Sequence, residues 1–371
     1  MTSDIWDNAK KSFRRLADGR SASRTGRKRH RAAFIAVLGT AVTLLVFAAM
    51  LCIGPTMVLS PWDAFGDLFS ALGKDEGEMT AAESAVFVSR FPRALAALGV
   101  GIGLSLSGAV YQAVIRNPLV DPYIMGVSSG AGTFAVAAIA FGFTLFGLLP
   151  LHSPFLTAAS AICGGLLAFA LTMVLAHASG SSANAYVLSG VVIGLVFSAV
   201  QTVLIVFSGD SVSSVLLWLF GSFSDIDMTD ALCILVPVAV CSAAVMLMAK
   251  PLNLVLLGED QAGQMGLDVR KFEAVALITA SVLASFCVAF CGIIGFVGLV
   301  VPHLCRMLFG GDHRLVLPAC IGLGGALMGA ADLLARMIDP GIELPVGAIT
   351  TLIGVPVFAY LLFKRGKMYD G

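Results

Sequence analysis

Few residues of this sequence could do chemistry, and most of them are charged side chains at the ends of apolar runs. Asp332 and Arg336 stand four positions apart in LMGAADLLARMI, so on a helix they would share a face and could form an ion pair. Cys287 and Cys291 also have helical spacing, but two thiols without a nearby histidine or carboxylate make a poor metal site. We therefore predict no metal ligands and interpret the cysteines as small packing residues.

Motifs for phosphate binding and for hydrolysis are missing from the sequence. There is no GxxxxGK[ST] loop, no HExxH motif and no GxSxG elbow with histidine and aspartate partners. The sequence therefore predicts no catalytic residues and no cofactor bound by this chain. It also predicts that the chain cannot hydrolyse ATP by itself.

The amino-acid composition indicates the class of protein that carries these charged residues. Of the 371 residues, 58% are apolar and 12% are charged, whereas about a quarter of a soluble domain is charged. This excludes a soluble globular enzyme and predicts an all-α polytopic membrane protein. The 40 glycines are typical of membrane helices that approach each other closely through small residues.

Apolar runs bounded by charges predict about ten membrane spans, because about 20 apolar residues are needed to cross a hydrocarbon layer of about 30 Å. The spans lie near 32–53, 94–115, 126–148, 154–176, 185–207, 231–249, 272–292, 294–309, 315–337 and 345–363. Two stretches, SGAVYQAVIRNPLVDPYIMG and GIIGFVGLVVPHLCRMLFGG, share an order of glycine, apolar run, proline and arginine. This weak symmetry predicts two halves related as an inverted repeat, a recurring transporter plan.

The basic residues predict the orientation of these spans. Residues 1–31 hold ten Lys/Arg and three Asp/Glu, which predicts a basic cytosolic tail before the first span. With both termini cytosolic, 19 Lys/Arg fall on the inner side, and four fall outside. The four outer residues are Lys74, Arg90, Arg93 and Arg336.

Two segments fit neither a span nor a simple loop. Residues 211–220 (SVSSVLLWLF) are apolar but too short to cross, so they predict a short helix at the outer face. Residues 251–268 form a long inner loop with helical spacing and glycine interruptions. Since ion-coupled carriers need charges at mid-membrane and almost none are present, energy must arrive from a partner. The loop at 251–268 is the candidate receiver.

Four separate strings resemble one family. They are the run SRFPRALAALGVGIGLSLSGAVYQAVIRNPLVDPYIMGVSSGAG (89–132), the loop LLGEDQAGQMGLDV (256–269), GFVGLVVPHLCRML (295–308) and ELPVGAITTLIGVPVFAYLLFKR (343–365). In this order they closely resemble the FecCD-type permeases of type II ABC importers for iron–siderophore complexes, haem and vitamin B12. The resemblance covers nearly all of the chain after the basic tail and defines a transmembrane domain at 32–367.

The resemblance implies a homodimer of ten-span subunits in a bacterial cytoplasmic membrane. Two cytosolic ABC ATPase subunits would carry ATP and Mg²⁺, and a substrate-binding protein would dock from outside. No nucleic acid partner is implied. The loop at 251–269 would couple to the ATPase through Leu256, Gly258, Glu259, Ala262 and Gly266.

The resemblance also assigns the outer arginines and the inner turns. Arginines at family docking positions would face acidic side chains of the binding protein, and these are Arg90, Arg93 and Arg336. The inner gate of the translocation path would lie near Ser128, Ser129, Ser182, Ala183 and Asn184. Membrane-interface anchoring for the arginines and helix capping for the serines are the plainer alternatives.

The sequence thus predicts the permease subunit of an importer for an iron chelate or a corrinoid. The alternatives are an ion-coupled secondary transporter of a small organic solute and a membrane scaffold without transport.

Overall fold

A computed structural model of the chain describes residues 31–142, 154–339 and 343–366. The basic tail predicted at 1–31 lies outside these residues except for Arg31. The described parts are helices joined by turns, with one isolated β-bridge between Ile53 and Val58. The predicted all-α class is confirmed for them. In chain order the helices are α1 (Arg31–Cys52), α2 (Pro61–Ser70), α3 (Ala81–Val114), α4 (Val127–Phe141), α5 (Pro154–Ala178), α6 (Ala183–Val206), α7 (Val212–Phe220), α8 (Met228–Leu247), α9 (Ala249–Val255), α10 (Glu259–Gln264), α11 (Val269–Cys291), α12 (Val297–Phe309), α13 (His313–Met337) and α14 (Val346–Gly366).

Seven helices in the described ranges are long and apolar enough to cross a membrane, namely α1, α3, α5, α6, α8, α11 and α13. The other three predicted spans coincide with apolar helical segments of 10–17 residues, namely Val127–Phe141 (α4), Val297–Phe309 (α12) and Val346–Tyr360 within α14. At 1.5 Å per residue, the 13 residues of α12 reach only about 20 Å. The predicted count of ten spans is therefore not confirmed by helix length. The rest of the span predicted at 126–148 falls outside the described residues.

Helix α3 lies at the centre of the bundle, where 89% of its most apolar window is buried. It packs against α8, α11, α12 and α13. Glycines let its backbone meet two of these neighbours directly: a Cβ at Gly101 would overlap the carbonyl of Gly324 in α13, and one at Gly108 would overlap that of Gly298 in α12. This is the close helix approach that the glycine content predicts.

The N-terminus of α3 explains why its full length was not predicted. Charged residues mark span ends in the sequence, so the sequence predicts a span that starts after Arg93. In the structure the helix begins at Ala81 with a capping box, in which Thr80 accepts a hydrogen bond from Glu83 N at 3.2 Å and Glu83 accepts one from Thr80 N at 2.9 Å. A single π-helical stretch at Ala85–Arg90 follows within the same rod. The pattern T-x-x-E was the signal that could have placed this start.

The helices α4 to α7 form a more open half of the subunit. Helices α4 and α5 pack through small residues, including Gly130 against Gly164. Beyond them α6 has only 11% of its most apolar window buried. The short apolar segment expected at 211–220 is a helix, α7, which starts one residue later and contacts α4 and α14. Together α6 and α7 leave a broad apolar face uncovered.

Candidate functional site

The loop expected to receive a partner consists of two short helices. Helix α9 ends near Leu256, and α10 follows after Gly258, whose φ of +103° turns the chain sharply. The far end of α10 turns at Gly266, where φ is +86° and Leu267 N donates to Ala262 O at 3.2 Å. Non-glycine residues rarely adopt such angles, so both glycines are needed for the compact shape of the loop.

Three polar contacts hold this loop against the bundle. Asn253 in α9 donates to Asp312 at 2.8 Å and accepts a hydrogen bond from His313 N at 2.9 Å, which ties α9 to the start of α13. At the other end Asp268 caps α11 by accepting from Lys271 N at 3.2 Å. The side chain of Lys271, 2.9 Å from the carboxylate, lowers the pKa of Asp268. The loop is therefore anchored at both ends.

The middle of the loop presents apolar side chains to its surroundings. Leu256, Leu257 and Met265 are 43%, 48% and 62% exposed, whereas Ala262 is fully buried beneath them. Glu259 lies at the start of α10, 3.7 Å from the guanidinium of Arg116 at the end of α3. The five residues predicted to couple, Leu256, Gly258, Glu259, Ala262 and Gly266, are thus brought into one knob of about two helical turns. An exposed apolar surface on a rigid knob suits a protein partner.

The residues predicted to form the inner gate lie at two helix N-termini. Ser128 and Ser129 are in the first turn of α4, and Ser129 donates to Gly126 O at 3.0 Å. Ser182 caps α6 by accepting from Ala185 N at 3.1 Å, and Ala183 and Asn184 are the exposed residues that follow. The Ser182 bond is the capping contact of the plainer alternative, whereas the Ser129 hydroxyl donates within its own turn and does not cap α4.

The two gate segments are carried by helices that touch. A Cβ at Gly190 in α6 would overlap the carbonyl of Ile124, just before α4, and Gly194 faces the hydroxyl of Ser129. The backbone of α6 therefore lies directly against the turn that starts α4. A movement of either helix end would displace the other.

The three arginines predicted to dock a binding protein are buried in the subunit, with 4–7% of their surface exposed. Arg90 donates to Leu51 O at 2.8 Å, to Cys52 O at 3.1 Å and to Met57 O at 2.7 Å. These acceptors include carbonyls at the C-terminal end of α1, which have no partner within the helix. Arg90 therefore caps α1.

The other two arginines share one buried carboxylate. Arg93 donates to Asp332 through Nε at 2.9 Å and through Nη2 at 2.6 Å, and it also pairs with Glu343. Arg336 lies 3.7 Å from the same Asp332 and donates to Met50 O at 2.8 Å. Asp332 is fully buried.

The predicted pairing of Asp332 with Arg336 is present, but Arg93 is the closer partner. That contact joins α3 to α13 across 239 positions of sequence, which helical spacing cannot indicate. In this conformation the guanidinium groups are used inside the subunit. A docking partner would have to compete with those contacts.

A cavity of about 550 Å³ lies beside α7, between α4, α8 and α11. Its lining combines apolar residues such as Trp218 with three carboxylates, Asp225, Asp230 and Glu343. Glu343 therefore belongs both to this cavity and to the arginine cluster. Sequence interpretation assigned no role to these acids.

Comparisons with known proteins identify one family of transport proteins. The model of the FecCD transport family matches residues 41–364. The cobalamin import system permease protein BtuC of Halobacterium salinarum is 38% identical over 307 residues, covering 82% of this chain and 80% of the relative. The vitamin B12 import system permease protein BtuC of Citrobacter koseri is 36% identical over 329 residues, covering 87% and 92%.

Two solved structures resemble the chain. An inward-facing conformation of a metal-chelate type ABC transporter superposes with a TM-score of 0.77 at 31% identity, covering 90% of this chain and 99% of that one. PsaBC from Streptococcus pneumoniae, solved in complex with a Fab, superposes with a TM-score of 0.53 at 17% identity, covering 80% and 94%. This second likeness concerns the fold alone.

Proposed function

The chain belongs to the FecCD transport family, and from this premise we propose that it imports a metal chelate of the corrinoid or siderophore type. The family match over residues 41–364 is the observation that carries the proposal. A corrinoid is the first candidate, since two of the relatives above are named as cobalamin or vitamin B12 permeases. Haem and iron–siderophore complexes are the further candidates of the same chemical class.

The proposed energy source is ATP hydrolysis on separate partner subunits. The exposed apolar knob of Leu256, Leu257 and Met265 supports this role, because its anchoring through Asn253 would carry a push on the knob into α13. ATP and Mg²⁺ would bind to the partner, and this chain would form the translocation path, which opens and closes. Replacing Glu259 and Gly266 together should uncouple ATPase activity from transport. Unchanged transport in that variant would show that the loop is only a linker.

The transport experiment uses the permease reconstituted in proteoliposomes with its ATPase and binding protein. Cyanocobalamin, ferric hydroxamate and haem are offered in turn, and uptake is followed by absorbance. We expect uptake of one of them to require ATP and to survive collapse of the ion gradients. Uptake that persists without ATP and stops when the gradients collapse would instead establish the ion-coupled carrier.

The structure offers a specific argument against an ion-coupled carrier. Such a carrier needs an ionisable side chain that can bind and release its ion within the membrane. Asp332 is a fully buried carboxylate of a spanning helix, and Arg93 neutralises it with hydrogen bonds from Nε and Nη2. A carboxylate held in this way supports a structural role.

The working unit that we propose is a homodimer in a bacterial cytoplasmic membrane. The uncovered face of α6 and α7, with Leu195, Val196 and Leu217 among its exposed residues, would pack on a second copy around the translocation path. The termini would be cytosolic, as the basic residues predict. Crosslinking of a Thr202→Cys variant tests the pairing, because Thr202 is exposed on the same helix. A monomer by mass measurement in nanodiscs would contradict it.

The proposed docking site for the binding protein is the surface around Arg90, Arg93 and Arg336. Since these side chains are buried, we propose that they act mainly by holding the docking surface in shape. Glu343, whose side chain is 31% exposed, is the member of the cluster that a partner reaches first. The test is the affinity for the binding protein at low and high salt. Salt weakens direct charge pairing by screening, whereas it has little effect on a role in holding the shape of the docking surface.

A further inference from the structure

The helix α2 is amphipathic, and together with the turn after it carries an apolar stripe that the described parts of the chain leave exposed. Trp62, Phe69 and Leu72 are 88%, 68% and 59% exposed. At 3.6 residues per turn, Trp62 and Phe69 lie within about 20° of each other around the helix axis, and Leu72 follows in the turn after the helix. Large exposed apolar side chains grouped on one stripe indicate a surface that is covered in the working protein.

The opposite sides of α2 have different chemistry. Ala64 and Leu68 face inward and pack with Leu51, Cys52 and Val86 at the end of α1 and the start of α3. Asp63 and Asp67 lie on a third side, turned away from the apolar stripe. The helix carries no Lys or Arg. This separation of one apolar and one acidic side is the pattern of a helix that lies along a boundary between water and an apolar medium.

The position of α2 relative to the membrane follows from α1. The 22 residues of α1 are about 33 Å long at 1.5 Å per residue, which matches the hydrocarbon layer of about 30 Å. Cys52 is its last residue, and the inner side of α2 packs directly on Leu51 and Cys52. The helix α2 therefore lies at the level where the hydrocarbon layer ends.

The turn between α1 and α2 is fixed, so this position does not depend on a loose linker. Arg90 binds carbonyl oxygens on both sides of the turn, from Leu51 and Cys52 to Met57. The bridge between Ile53 and Val58 closes the same turn. A Cβ at Gly54 would overlap the guanidinium of Arg90, so the turn is built around this side chain.

We propose that α2 is an interfacial helix whose stripe of Trp62, Phe69 and Leu72 inserts into the headgroup region of the adjoining lipid leaflet. Tryptophan is enriched at this level in membrane proteins because its ring is amphipathic. The helix α1 likewise exposes Leu44 and Leu45, about two turns before its end. The interfacial helix α2 holds the end of α1 and the neighbouring start of α3 at a constant depth.

The test uses tryptophan fluorescence, since the chain has only Trp6, Trp62 and Trp218. The double variant W6F/W218F leaves Trp62 as the sole emitter, and W6F/W62F is the matched control that reports on Trp218 beside the cavity. Both are placed in nanodiscs whose phosphatidylcholine carries bromine either near the carbonyl end or near the end of the acyl chains. Iodide is the quencher in water.

We expect lipid brominated near the carbonyl end to quench Trp62 roughly twofold more than lipid brominated at the chain end, because interfacial rings lie at headgroup level. Iodide should quench Trp62 less in nanodiscs than in the unfolded protein. Quenching by iodide alone would overturn the proposal. Protection that appears only after the binding protein is added would also overturn it and would assign the stripe to that partner. If W6F/W218F does not fold, the difference spectrum between wild type and W62F supplies the same comparison. The proposal does not depend on the transported ligand.

Discussion

The buried cluster around Asp332 makes a quantitative prediction. Asp332→Ala removes the carboxylate that accepts two hydrogen bonds from Arg93, and it leaves Arg93 and Arg336 at 7% and 5% exposure with Glu343 as the remaining counter-charge. Breaking a buried pair by removing one partner costs about 3–5 kcal/mol. We expect a loss of that size in the free energy of unfolding. Glu343→Gln should cost about 1 kcal/mol or less, because Glu343 is partly exposed.

The double variant R93M/D332L distinguishes a structural pair from a docking residue. Replacing both partners by apolar side chains of similar volume is often close to neutral, although Arg336, 3.7 Å from Asp332, then loses its buried counter-charge. We therefore expect R93M/D332L to lose less unfolding free energy than the R93M and D332L losses added together, with a coupling of about 0.5–3 kcal/mol between the two positions. The assay is reversible denaturation in mixed micelles, with affinity for the binding protein measured on the same samples.

Two outcomes would refute this reasoning. If Asp332→Ala and Arg93→Ala leave the unfolding free energy unchanged, the buried pair does not form. If R93M/D332L is stable but no longer binds the binding protein at low salt, Arg93 contacts that partner directly. Stability together with normal docking would establish the pair as a support for the surface.

Three further changes test other parts of the structure. Gly108→Ala should cost about 1–3 kcal/mol in unfolding free energy, because its Cβ meets the carbonyl of Gly298; Gly66→Ala, in open space on α2, is the control and should be neutral or stabilising. Thr80→Ala should cost about 0.5–2 kcal/mol through the lost cap and should raise hydrogen exchange at the start of α3; unchanged exchange would contradict the capping box. Asn253→Ala should lower ligand-stimulated ATPase activity and cost about 1–3 kcal/mol in unfolding free energy, because it removes the hydrogen bonds between α9 and the start of α13. Full coupling in this variant would show that the knob acts without those bonds.

Much of this fold was accessible from the sequence, because lipid imposes a simple rule on length and polarity. The apolar runs located seven helices that can span a membrane, and the glycine-interrupted loop at 251–268 is indeed a pair of short helices. Helix ends were less well predicted. Charges predict span boundaries, yet α3 carries Glu83, Arg90 and Arg93 within its own length.

The sequence identifies the residues of the site, but it does not indicate the contacts that their side chains make. The arginines at 90, 93 and 336 stand out in the sequence because so few basic residues are predicted to fall on the outer side. Their partners could not be read from spacing, since Arg93 meets Asp332 across 239 positions and Arg90 bonds only to backbone oxygens. Backbone carbonyls leave no trace in residue type, so a capping arginine looks like a free one.

The glycine contacts of α3 have a mechanical consequence. At Gly101 and Gly108 the backbone of α3 meets the backbones of α13 and α12, with no side chains between them that could change rotamer and absorb a displacement. These three helices must therefore shift as one rigid block. Opening and closing of the proposed path would therefore fall to the other half of the subunit, where α6 packs on α4 and α5 but has only 11% of its most apolar window buried.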